Sequence, residues 1–370
     1  MVVMNLKLDG IYGFSNFEIN FSYPKKIVNS MIEDEHLSGF PQFRYRKAVI
    51  LMGANATGKT SLGRALAKIF GYLNSGNSSL LLDMVSSDEN GSFCIDLVNE
   101  VGILHRYAAD IIPYKKYVEV THAYAEIKTM DSYESCARRL GKLDLITDAE
   151  IREQRNAVGD LHYRFAYPEI ESSLRISDVD RHSFLRTLRA VIGTLDPTLT
   201  DISLLSALNN SYVIRRKGME IIIQDGKLLN REVLSSGTAE GIDVAIFLAS
   251  MICEAHPVSF YYCDEHFSYI QSDIEKRIFG LMLEYLKKDE QLIFTTHNTD
   301  MLDLNLPKHA YIFLRKQLKE GEYLISAISA SDILKRNTDS IRCAVENDVF
   351  GSLPDDSQLD KLEKEKADEE

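Results

Sequence analysis

The sequence predicts an α/β fold built around a phosphate-binding loop, on three observations. Residues 53–60, Gly-Ala-Asn-Ala-Thr-Gly-Lys-Thr, fit G-x-x-x-x-G-K-[ST] and stand between an apolar run and a helical pattern. Two further apolar runs of strand length, in the second half, end in Asp264-Glu265 and in Thr296-His297. Hydrophobic residues make up 45% of the 370, enough to bury a full α/β core rather than leave a disordered chain.

Taken in order, residues 2–22 read as short strands around Gly10 and Gly13. Residues 23–47 read as irregular, with Pro24, Gly39 and Pro41. Ala48–Met52 is a buried-strand pattern. From Ser61 to Phe70, apolar residues at 62, 65, 66, 69 and 70 follow a helical period. Strand, glycine turn and helix start form a nest of N–H groups, and the helix dipole adds positive field there. Gly53, Asn55, Ala56, Thr57, Gly58, Lys59, Thr60 and Ser61 are therefore the candidate nucleotide-binding residues. The glycines let the main chain close around a phosphate. Lys59 would reach the β- and γ-phosphates, and the Thr60 hydroxyl would hold Mg²⁺. The bland alternative is a flexible turn with an incidental lysine, and the flanking elements argue against it.

Residues 92–129 alternate in short apolar pieces, such as Phe93, Ile95 and Leu97, and read as β hairpins. Residues 131–208 carry Arg138, Arg139, Arg152, Arg155, Arg181, Arg186 and Arg189 with helical periodicity, and are expected to be an inserted helical subdomain. No sustained heptads occur there, so a long coiled-coil arm is not expected. Strands resume at Tyr212–Arg215 and Met219–Gln224, with a turn at Lys217-Gly218.

Ser259–Cys263 followed by Asp264-Glu265 has the Walker B form. Asp264 would hold the Mg²⁺ shell, and Glu265 would act as general base on the attacking water. In isolation this is an ordinary acidic strand end. His297 follows the next apolar strand, after one helix from Asp273 to Leu286, where it would sense the γ-phosphate. Leu234-Ser235-Ser236-Gly237-Thr238 precedes an apolar helix. Ser235, Ser236 and Gly237 at a helix N-terminus make an anion site, or a plain serine cap if the other motifs were absent.

Formal net charge is −13, whereas a protein that coats nucleic acid is normally basic. Eight acids against three bases between Asp355 and Glu370 read as a solvated tail. The five cysteines include no C-x-x-C pair, which argues against a disulfide framework or a zinc site; Cys253 and Cys263 read as buried thiols. No apolar run approaches the roughly 20 residues of a membrane span, and residues 1–7 lack signal-peptide character. A cytoplasmic protein is expected, without a membrane partner.

The order of motifs (P-loop, Leu-Ser-Ser-Gly-Thr, apolar strand with Asp-Glu, then Thr-His) resembles the ABC-type ATPase heads of the Rad50/SMC class. Within it, residues 53–60, 234–238 and Phe350-Gly351-Ser352-Leu353-Pro354 look most like the compact OLD-like ATPases of bacterial phage-defence, or abortive-infection, systems. The resemblance covers roughly residues 2–354. It implies an ABC-ATPase head of the P-loop NTPase fold, with a mixed β N-lobe and an inserted helical subdomain. The chain would divide into 1–130 and 209–354 as two halves of the head, 131–208 as the helical insertion and 355–370 as an acidic tail.

It further implies ATP and Mg²⁺ as cofactors and two copies stacked head to tail, with Lys59 and Thr60 of one facing Ser235 and Gly237 of the other. A separate effector protein would be the partner. Ser236 and Thr238 depart from the glycine and glutamine of the transporter-type signature, and residues 266–270 do not match the usual D-loop. No Toprim or H-x-H nuclease pattern follows the His297 strand. Two rival readings stand beside this one: a Rad50/RecF-like ATPase clamping duplex DNA through the arginines of 131–208, and a slowly or non-hydrolysing ATP-dependent scaffold.

Overall fold

The computed structural model describes residues 1–28, 30–158, 161–167, 179–199, 201–205, 210–216, 218–224, 227–229, 233–252, 258–336 and 338–354, with backbone alone at 154–158. The acidic tail, Cys253 and the Arg155 side chain lie outside the described residues.

The N-terminal lobe is an antiparallel sheet. Its strands are β1 (Val2–Asp9), β2 (Phe17–Asn20), β6 (Gly91–Val98), β7 (Ile103–Ile112), β8 (Tyr117–Glu126) and β9 (Asp144–Ile146), in the order β2-β1-β6-β7-β8-β9. The alternating pieces of 92–129 are thus two hairpins, as their period of two requires. The stretch expected to be irregular holds a small hairpin, β3 (His36–Leu37) with β4 (Phe40–Arg44). Gly39 turns it at φ +82°, a conformation open to glycine.

The central sheet is mostly parallel. It contains β5 (Ala48–Met52), β10 (Tyr163–Ala166), β15 (Phe260–Asp264), β16 (Gln291–Thr295), β17 (Tyr311–Lys319) and β18 (Glu322–Ser329), in the order β10-β15-β16-β5-β17-β18. Only the β17–β18 pairing is antiparallel. Because side chains alternate, its two faces feed two cores. Val49, Leu51, Phe260, Tyr262 and Ile293 pack with helix α1 (Lys59–Ser75) and the N-terminal sheet. Ile50, Met52, Tyr261, Cys263, Leu292 and Phe294 pack on the other side with α5 (Arg181–Leu195), α6 (Ser236–Ile252) and α7 (Ser272–Tyr285). α6 is buried along most of its length, so its apolar composition reflects enclosure rather than a single stripe.

Residues 131–208 are mixed where helix was expected. They hold α3 (Tyr133–Ala137), α4 (Asp148–Val158) and α5, but also β9, β10 and β11 (Asp201–Leu204). β9 extends the N-terminal sheet, β10 is the edge strand of the central sheet, and β11 opens a third sheet with β12 (Ser211–Arg216), β13 (Met219–Gln224) and β14 (Lys227–Leu228). The reason for β10 is tertiary. Phe165 is buried to 1% exposure, with its ring among those of Phe70, Phe260 and Tyr262, and that packing outweighs the local helical pattern.

Gln291, fully buried at the start of β16, ties the layers together. Its Oε1 accepts from Val3 N at 3.0 Å, and its Nε2 donates to Val3 O and Arg46 O, each at 3.2 Å. A buried amide with all of these partners fixes how β1 and Arg46, two residues before β5, meet the central sheet.

Candidate functional site: a phosphate-loop pocket at three strand ends

Strands β15, β16 and β5 are neighbours and parallel, so their carboxyl ends open on one edge. That edge is where ligands bind in open α/β sheets. The P-loop follows β5, Asp264-Glu265 ends β15, and Thr296-His297 follows β16.

The loop backbone is shaped by residues that accept left-handed angles. Gly58 sits at φ +94° and Ala56 at φ +61°. Gly53 has no room for a side chain: a Cβ there would stand 2.5 Å from Leu314 O and 2.7 Å from Thr57 Oγ1. Thr57 Oγ1 donates to Ala54 O at 2.8 Å and braces the turn. Helix α1 starts at Lys59, earlier than the apolar period suggested. Tyr262 pins that start, its hydroxyl donating to Lys59 O at 2.5 Å.

Lys59 is 4% exposed. Its Nζ donates to Gly53 O at 2.8 Å and to Ala54 O at 3.1 Å, and stands 3.4 Å from Glu265 Oε1. Burial pushes the ammonium pKa below its usual value, against the opposing pull of Glu265 and Asp264.

Thr60 Oγ1 donates to Asp264 Oδ2 at 2.6 Å, and Thr295 Oγ1 donates to Asp264 Oδ1 at 2.8 Å. Asp264 is 1% exposed, and burial raises its pKa although both hydroxyls hold the carboxylate form. A buried carboxylate beside a threonine hydroxyl, both hard oxygen donors, fits Mg²⁺, which would supply the compensating charge. Thr295 also accepts from Glu265 N at 3.0 Å, so one hydroxyl orders both acids.

Glu265 is itself at φ +48°. Its Oε1 lies 2.8 Å from His297 Nε2. Burial acts to raise its pKa, but the His297 hydrogen bond and the Lys59 charge together outweigh it, and the carboxyl ends below its ordinary value. These two partners favour its carboxylate form. Asn55, Ala56, Gly58, Lys59, Thr60, Ser61, Glu265 and His297 line one open pocket of about 180 Å³. The polar cradle, the buried cation, the hard-oxygen pair and the carboxylate–imidazole pair together match the needs of a bound polyphosphate and an activated water.

The structure brings the P-loop, Asp264, Glu265 and His297 together and leaves Ser235, Ser236 and Gly237 out of that pocket. Ser235 and Ser236 are exposed at the start of α6. Ser235 Oγ caps the helix, accepting from Thr238 N at 3.2 Å. A Cβ on Gly237 would come within 2.5 Å of Tyr269 O, and Glu240 accepts from Tyr269 N at 3.1 Å. The start of α6 thus packs on the segment after Glu265. In that segment His266, Phe267 and Ile270 are buried, while Ser268 and Tyr269 face out.

Three side chains that contact the candidate site residues escaped the sequence reading: Thr295, Tyr262 and Glu275 on α7. Glu275 accepts from Thr296 Oγ1 at 2.8 Å and from Asn298 Nδ2 at 2.6 Å. Nothing in their local sequence marks them, because their roles depend on which strands end side by side.

Comparison with solved structures places the fold. The chain is similar to the structure described as the SmcHead bound to the C-winged helix domain of ScpA, at TM-score 0.54 and 15% identity, over 90% of this chain and 100% of that one. It also matches the SMC head domain from Thermotoga maritima at TM-score 0.44 and 15% identity, over 89% and 99% of the two chains. The recombination mediator RecF matches at TM-score 0.42 and 11% identity, over 89% and 98%. No curated protein matches in sequence. A family profile does match, over residues 48–303, which span the P-loop, Asp264-Glu265 and His297, and the chain belongs to that family, described as "AAA domain, putative AbiEii toxin, Type IV TA system".

Proposed function

We propose that this protein is an Mg²⁺-dependent ATPase whose nucleotide switches a head-to-tail dimer or larger assembly. The observation that carries the reading is the convergence of Lys59, Thr60, Glu265 and His297 on one pocket, with Asp264 hydrogen-bonded to Thr60. Lys59 binds the β/γ-phosphates, Thr60 and Asp264 hold Mg²⁺, which neutralises phosphate charge, and Glu265 takes the proton of a water that His297 helps to place. The exposed Ser235 and Ser236, away from their own chain's pocket, support a shared site: their hydroxyls could meet the γ-phosphate of a second copy.

Within this reading, 1–130 and 209–354 act as the two halves of the head, and 131–208 lies between them. Membership of a toxin–antitoxin-type family supports a cytoplasmic regulatory ATPase of an antiphage system, acting on a separate effector protein. The DNA-clamp alternative draws less support. Arg139 is paired with Asp131, Arg152 Nε donates to Ser75 O and Arg189 Nε to Ile202 O, so these arginines serve the fold.

The test is phosphate release from ATP by the purified chain with and without Mg²⁺, together with its molar mass with and without ATP. Mg²⁺-dependent turnover and an ATP-dependent doubling of mass are expected. An inert, unchanging monomer would overturn the reading.

A further inference from the structure

Behind the Glu265–His297 pair lies a second hollow of about 330 Å³, floored by Glu275 and rimmed by residues of 265–272 and 296–298. Glu275 is 2% exposed, in the first turn of α7, where the helix dipole favours a negative charge. Both of its oxygens are occupied. Oε1 takes the Thr296 hydroxyl at 2.8 Å, and Oε2 takes the Asn298 amide at 2.6 Å.

These are the two residues that flank His297. They are also bound to each other, Asn298 N donating to Thr296 Oγ1 at 3.0 Å. Asn298 Oδ1 then accepts from Asp300 N at 2.9 Å and starts the next turn. His297 itself is more than one-third exposed, and its imidazole meets Glu265 Oε1 at 2.8 Å. Its position is therefore set by the loop that carries it.

We propose that Glu275 is a positioning residue for His297: its carboxylate clamps Thr296 and Asn298 and so holds the imidazole against Glu265. As it stands, the clamp uses two charged acceptor oxygens. Glutamine in its place keeps the shape but loses the charge that strengthens both bonds, and its single oxygen can accept from Asn298 only if the Thr296 hydroxyl turns from donor to acceptor. Because α7 begins three residues after the exposed Tyr269, the clamp also links that surface to the imidazole through the first turn of the helix.

The catalytic part of the inference rests on the ATPase reading above, so its test has one readout that does not need hydrolysis. In protein labelled with ¹⁵N-histidine, Glu265→Gln should shift the His297 Nε2 resonance in the parent. The same change should have little effect in Glu275→Gln, where the imidazole is no longer held in contact. An equal shift in both backgrounds would overturn the proposal, whether or not ATP is hydrolysed.

In the hydrolysis assay, Glu275→Gln should lower kcat by about 10- to 100-fold while ATP affinity stays within about twofold. It should cost nothing further in a His297→Ala background, where there is no imidazole left to place. An additive loss in that double variant, or equal damage to ATP binding, would mark Glu275 as merely structural. Thr296→Val removes one arm of the clamp alone, and should show the same pattern more weakly if Glu275→Gln does not fold.

Discussion

The carboxylate of Glu265 and the imidazole of His297 meet at 2.8 Å across the ends of two neighbouring parallel strands, 32 residues apart in the chain (297 − 265). The same carboxylate oxygen lies 3.4 Å from the Lys59 ammonium, so the base, the imidazole and the phosphate-binding cation share one point. On the proposed reading, ATP entering the loop would draw Lys59 toward its phosphates and leave Glu265 held by His297.

Lys59→Ala should abolish ATP binding. The lysine is a buried cation of the pocket, and alanine offers no substitute charge. Calorimetry with ATP and Mg²⁺ would measure this, and affinity within a few-fold of the parent would contradict the assignment.

Asp264→Asn should raise the Mg²⁺ concentration needed for half-maximal activity by at least about tenfold, since the neutral amide no longer offsets the metal's charge in a buried site. The measurement is a Mg²⁺ titration of phosphate release at fixed ATP. An unchanged midpoint would move the metal to other ligands.

The pH dependence has a fixed sign. Glu265 acts when ionised, and its pKa lies below the usual glutamate value because His297 and Lys59 outweigh burial. The acid limb of kcat/KM should therefore fall below the usual glutamate range. His297→Ala removes the first of those opposing partners, so the acid limb of its residual activity should move to higher pH. A limb that stays in place would remove Glu265 as the titrating base.

Phe165→Ala should destabilise the fold by about 3–5 kcal/mol, the usual cost of emptying an aromatic site in a core. Denaturant midpoints would measure it. A loss under about 1 kcal/mol would contradict the place of residues 163–166 in the central sheet, where Phe165 is 1% exposed.

Phe165 also marks where the sequence stopped being legible. The P-loop, the Asp264-Glu265 strand end and the His297 strand were readable because each is a contiguous run whose chemistry is local. The N-terminal hairpins were readable from their alternation. β10 was not: it is four residues long, carries Arg164 in its middle and becomes a strand by pairing with β15, about 100 residues away. Thr295 and Glu275 were equally silent, because a threonine and a glutamate become site residues only when folding sets them beside Asp264 and Thr296.

A shared active site makes a separate prediction. Ser235→Arg should leave ATP binding to one chain largely intact yet block closure, because a bulky cation at the start of α6 opposes the helix dipole and fills the γ-phosphate space. Mixed with Lys59→Ala, it should restore partial ATPase activity, since each mixed dimer has one pocket free of both changes. Wild-type turnover by Ser235→Arg alone would show that the segment takes no part.

The central claim, that Glu265 is the general base of an ATP-hydrolysing pocket, is tested most directly by steady-state turnover of Glu265→Gln with its ATP affinity measured on the same preparation. The amide keeps the shape of the carboxylate but cannot take the water's proton. ATP should still bind, turnover should fall by about 10²–10⁴-fold, and the ATP-bound dimer should accumulate. Turnover near that of the parent, with ATP bound, would contradict the account.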